Sequence, residues 1–158
     1  MKIKRTIKLP QDRFFTQTIA TVIETGRYAF LKNWVQHAGV STYRHSLWVT
    51  ALTYRLARKL KLKVDYCSLI RGSLLHDYYL YDWHDKHKGL RGHGFKHPAI
   101  SYKRASEDYM LNEIEKDMIV KHMFPLTPFP PKYKESFCLS LCDKIVSLLE
   151  IFRLVKDE

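Results

Sequence analysis

The stretch "LLHDYYLYDWHDKHKGLRGHGFKH", Leu74 to His97, constrains this chain more than any other. An apolar lead-in runs straight into a His-Asp pair, His76-Asp77, and a basic, histidine-rich loop follows. A carboxylate at the end of a buried segment is costly unless something pairs with it. Any fold that buries this segment must therefore bring a partner to the pair. A metal ion is the leading candidate, and the rest of the chain must then supply further ligands. The stretch holds five of the eight histidines: His76, His84, His87, His93 and His97.

The surrounding pattern is helical. His45, Trp48, Val49, Leu52 and Leu56 recur at i, i+3, i+4, i+7 and i+11, which turns one helix face inward with His45 near its start. Ser41 or Thr42 caps that helix, expected over 43–60, and Gly39 closes a preceding one over 28–37. Further helices are expected over 12–25, over 66–77 behind an Asp65 cap, and over 113–123 behind an Asn112 cap. Another is expected over 98–109, starting at Pro98, and a last one over 133–152. The proline-rich "FPLTPFPPKY" cannot be helical throughout. Strand-type alternation is weak everywhere. The expected fold is all-α, with about six or seven helices.

At 158 residues, 46% hydrophobic and 13% aromatic, the chain can bury the core of one domain. No run approaches the roughly 18 apolar residues of a membrane span, and the N-terminus lacks a secretory signal's apolar core. A soluble, cytoplasmic protein with no membrane partner is expected. Cys67, Cys138 and Cys142 lie in apolar segments without zinc-site spacing and read as core thiols. The net charge of +11 favours anionic partners: phosphorylated small molecules, an acidic membrane surface or nucleic acid.

His45, His76-Asp77, His97, His122 and Asp143 all sit at expected helix ends or on apolar faces. Imidazole and carboxylate together suit iron, manganese, zinc and similar cations. Each residue also has a plainer reading. His45 and His122 serve equally as hydrogen-bonded core histidines, and Asp143 as a cap or a partner for Lys144. One cation would satisfy together what otherwise needs separate partners.

The order of these residues resembles the HD superfamily of metal-dependent phosphohydrolases. The matching segments are "YRHSLWV" (His45), "LLHDYY" (His76, Asp77), "KHPAI" (His97), "VKHMF" (His122) and "LCDKI" (Asp143). The resemblance runs over 41–150 within a single domain taken as 1–158, and implies an HD-domain helical bundle. It implies that His45, His76, Asp77 and Asp143 form the shared metal set. His97 and His122 would complete a second site, with Asp77 bridging, as in branches that hold two metals. The cofactor implied is two divalent cations per chain, iron or manganese first, with zinc, nickel, cobalt or magnesium also compatible. The "GYP" motif of one cyclic-dinucleotide branch is absent, so that activity does not carry over.

The activity implied is hydrolysis of a small nucleotide-like phosphate by a metal-bound hydroxide. Asp77 would act at the centre of that chemistry, and His84 or His93 would orient substrate or protonate the leaving oxygen. Lys86, Lys88, Arg91 and Lys96 suit phosphate binding from the loop. The plain alternative is a solvated basic loop with incidental histidines, His87 above all. Two other functions compete. A non-catalytic module would bind metal and a phosphorylated ligand in regulation. A basic nucleic-acid-binding protein would need no metal cluster.

Overall fold

The computed structural model describes residues 6–85 and 92–155. Helix α1, Arg13–Ile23, starts where the Asp12 side chain accepts the Phe15 amide proton, and it buries Phe15, Ile19 and Val22. Helix α2, Thr42–Lys59, is capped by Ser41, and α3, Tyr66–Leu75, by Asp65. Helix α4 spans His93–Asp108. Helix α5, Glu113–Lys121, opens on a reciprocal cap in which Asn112 and Glu115 each bond the other's main-chain amide. Helix α6, Lys134–Ile151, closes the fold. Among the described residues, none of these helices is long and apolar enough to cross a membrane.

Two expectations fail locally. Residues 28–37 do not form one helix. A 3-10 helix, Tyr28–Asn33, gives way to an antiparallel hairpin of β1, Val35–His37, and β2, Val40–Ser41. Tyr28 and Leu31 are buried at the i, i+3 spacing of a 3-10 turn. Ala38 and Gly39 both take positive φ, 50° and 90°, so Gly39 turns a hairpin instead of ending a helix. Helix α4 also begins at His93, ahead of Pro98, so Lys96 and His97 are helical. Ring stacking supports that added turn: the His93 ring stacks on Trp83 from outside the helix and on His97 one turn along it.

Helix α2 packs against α3 and α6, while α5 packs against α3, α4 and α6. Helices α3 and α5 come close at Gly72, where a Cβ would meet the Met118 sulfur at 2.5 Å. One core cluster gathers Phe15, Tyr28, Leu74 and Tyr78, and a second gathers Trp48, Leu69, Met118 and Leu139. Cys138 and Cys142 are buried as expected, but Cys67 is exposed on the outer side of α3.

This packing places polar groups at one point. The first turns of α2 and α4, the C-terminal ends of α3 and α5, and the middle of α6 all converge there.

Candidate metal centre

His45, His76, Asp77, His97, His122 and Asp143 are all buried, and all six come together. His45 Nε2 lies 3.1 Å from Asp143 Oδ1 and 3.6 Å from Asp77 Oδ2. His76 Nε2 lies 3.3 Å from Asp77 Oδ2 and 3.5 Å from Asp143 Oδ1. The other Asp77 oxygen faces the opposite way. Its Oδ1 is 3.1 Å from His97 Nε2 and 3.5 Å from His122 Nε2. The Asp77 carboxylate therefore stands between two imidazole pairs.

Local structure decides which ring nitrogen faces inward. His76, His97 and His122 each direct Nδ1 to a main-chain carbonyl, of Ser73 (2.7 Å), His93 (2.9 Å) and Ile119 (2.7 Å). A carbonyl only accepts, so each Nδ1 carries a proton, and each ring in its neutral form offers its Nε2 lone pair to the centre. His45 achieves the same end through a carboxylate, with Nδ1 2.9 Å from Glu150 Oε1.

This donor set fits a divalent cation. Among the described residues, His76 Nε2 and Asp77 Oδ1 are buried and find no hydrogen-bond partner, which a cation would remedy. The ligand atoms of His45, His76 and Asp143 lie within 4.8 Å of one another, as do those of His76, Asp77 and His122. Mixed imidazole and carboxylate donors suit first-row metals.

The electrostatics run the same way. Burial opposes charge on His76, but the Asp77 and Asp143 carboxylates outweigh it and hold its pKa up at about 10. Burial likewise works against the Asp143 carboxylate, yet His45 and His76 keep its pKa well below the usual range. Asp77 is held low against burial by His76, His122 and His97. On the His45 and His76 side, protons therefore compete with a metal for the same nitrogen atoms.

A cavity of about 950 Å³ opens onto Asp77, His97, His122 and Asp143. Its remaining walls are largely apolar, including Trp83, Met123, Pro125, Leu126 and Leu148. The one cationic side chain among the described lining residues is Lys144. Its ammonium is already held by Ser140 Oγ (2.7 Å), Ser140 O (3.1 Å) and His122 O (3.1 Å).

The loop residues divide. His93 lines the cavity, its ring stacked 4.8 Å from Trp83 and 4.5 Å from His97. Burial, helped by the neighbouring His97, lowers its pKa to about 4. His84 is exposed and packs on Trp83 at 3.8 Å without lining the cavity. Lys96 is exposed on α4 and also lies off the cavity wall. Lys86, His87, Lys88 and Arg91 lie outside the described residues.

Three further residues reach the centre without having been singled out. Gln36, on the hairpin, donates its side-chain amide to Asp77 Oδ2 at 2.8 Å and accepts from the Tyr79 hydroxyl. His37 lines the cavity edge-on to both His45 and Trp83. Glu150 supports His45. Only Glu150 left a trace in the sequence: it follows Asp143 by two helical turns and so shares its face.

A model of the HD domain matches residues 42–148, more than half of the chain. No curated protein and no solved structure matches the chain significantly. The matched span begins at the first residue of α2 and ends within α6, so it encloses all six converging residues. The chain belongs to the HD domain family.

Proposed function

We propose that this protein is a metal-dependent phosphohydrolase acting on a small phosphorylated molecule of nucleotide-like size. The observation that carries the reading is the Asp77 carboxylate, with Oδ2 toward His45 and His76 and Oδ1 toward His97 and His122. That arrangement suits two cations sharing one carboxylate. Cations there would acidify water and neutralise charge on phosphate oxygens. Hydrolysis forms one P–O bond to water and breaks the P–O bond to the leaving alcohol, whose oxygen gains a proton.

The chain's own residues have separable tasks. Gln36 holds Asp77 Oδ2, which leaves Oδ1 for the His97 and His122 side. His93, with its pKa near 4, is neutral at pH 7 and orients substrate instead of protonating it. The leaving oxygen then takes its proton from water, because exposed His84 does not line the cavity. The apolar wall of Met123, Pro125, Leu126 and Leu148 takes the organic part of the substrate. A nucleobase or another flat ring suits it. Lys86, Lys88 and Arg91, which follow Trp83 closely in sequence, would add charge for the phosphate.

The test is a panel of phosphomonoesters, cyclic dinucleotides and dinucleoside polyphosphates, assayed with manganese or iron. Turnover that disappears in an Asp77→Asn variant supports the reading. Metal-loaded protein that binds these compounds but hydrolyses none would instead be a binding module.

A further inference from the structure

We propose that Glu150 is a positioning residue for the metal centre, holding His45 and strengthening it as a ligand. The proposal rests on the reading that the cluster binds a cation. Glu150 is fully buried, and both its carboxylate oxygens meet His45 Nδ1, at 2.9 and 3.0 Å. Among the described residues its side chain has no other hydrogen-bond partner.

The comparison with the other three histidines is the argument. His76, His97 and His122 hold their Nδ1 protons on neutral main-chain carbonyls. A carbonyl is sufficient to set a tautomer. His45 alone has a buried carboxylate in that role, and a buried charge is costly to keep. What the charge adds is donor strength. A carboxylate behind an imidazole raises the basicity of the opposite nitrogen and fixes the ring plane. His45 Nε2 is that opposite nitrogen, and it faces Asp143 and Asp77. Helical geometry makes the arrangement possible, since Asp143 and Glu150 both belong to α6 and flank the same ring from its two ends.

Glu150→Gln isolates the effect, because the amide oxygen still accepts the Nδ1 proton while the charge is lost. Manganese or zinc would be titrated into the full chain against a chromophoric chelator. The variant should hold the ion on the His45 side about 10- to 100-fold more weakly, the usual cost of losing such a partner. The ion on the His97–His122 side should keep its wild-type affinity. Cobalt substitution gives a second readout, with a changed visible spectrum for one ion only. Glu150→Asp, which keeps the charge but withdraws it, should weaken the same ion and serves if the Gln variant does not fold. A merely structural role predicts lower thermal stability of the metal-free variant with both affinities unchanged, and that result would overturn the proposal. Wild-type protein that binds no cation would overturn the metal reading itself, and this proposal with it.

Discussion

His97 and His122 turn their Nε2 atoms toward each other across 2.8 Å, while a main-chain carbonyl holds the Nδ1 proton of each. Two neutral rings in that tautomer present two lone pairs with no proton between them. A cation between them relieves the contact. His97→Ala is expected to lower metal content from two ions per chain to one, leaving the His45 side loaded. Elemental analysis of protein purified without chelator checks this, and an unchanged metal content would count against it.

Asp77 touches both halves of the centre, so its loss should be broader. Asp77→Asn preserves shape but removes the charge that both halves share. Both ions should weaken by more than the roughly 10- to 100-fold typical of an outer partner. Turnover should fall with them. Retention of both ions at wild-type affinity would contradict the bridging geometry.

Protons and metal compete for the same atoms, and the sign can be worked out for His76. In the metal-free fold its pKa is held up at about 10, against an ordinary value of 6.5. A raised pKa adds stability that is complete below about pH 6.5 and is lost as pH rises toward 10. Asp77 and Asp143 are held low, so their contribution is present above their ordinary value of 3.8 and is lost as pH falls below it. Chelator-treated protein should therefore lose thermal stability between pH 6.5 and 10. Metal-loaded protein should lose much less over that range, because the metal has already displaced the proton from His76 Nε2. Matching melting profiles for the two forms would refute this.

Helix contact makes a prediction free of metal. An Ala side chain at Gly72 would press on Met118, with its sulfur at 2.5 Å and its Cβ at 3.2 Å. The sulfur end can swing aside, but the Cβ cannot move without its helix. Gly72→Ala should cost about 1–3 kcal/mol, the usual range for overpacking. Urea unfolding of the metal-free protein measures it.

The basic loop gives a kinetic test. Neutralising Lys86, Lys88 and Arg91 should raise KM at low salt, by about 0.2–1 kcal/mol per charge, with metal content unchanged. The effect should shrink as salt rises. Lys96→Ala should change KM less, since that side chain is exposed on α4 and does not line the cavity. Equal KM values for wild type and the triple variant would leave a solvated loop.

The helices and the identity of the converging residues were legible in the sequence because both rest on local signals. Asp12, Ser41, Asp65 and Asn112 cap helices through bonds to amides only three residues away. Buried polar residues such as His45 and Asp143 stand out against apolar neighbours wherever the chain finally carries them. The hairpin at 35–41 was not legible, because two short strands have little intrinsic preference. It is stabilised in part by Gln36 reaching Asp77, 41 residues away. The first turn of α4 depends on Trp83 in the same way, through ring stacking that no periodicity encodes.

What the sequence determined by itself was which side chains could bind a cation and which helices would bear them. The tertiary structure alone decided how they face. The pairing of His45 with Glu150 spans 105 residues, and Asp77 divides its oxygens between rings from four different helices. Helix capping and periodicity act over one or two turns. The direction of a lone pair is set only when helices distant in sequence pack and each Nδ1 proton finds its acceptor.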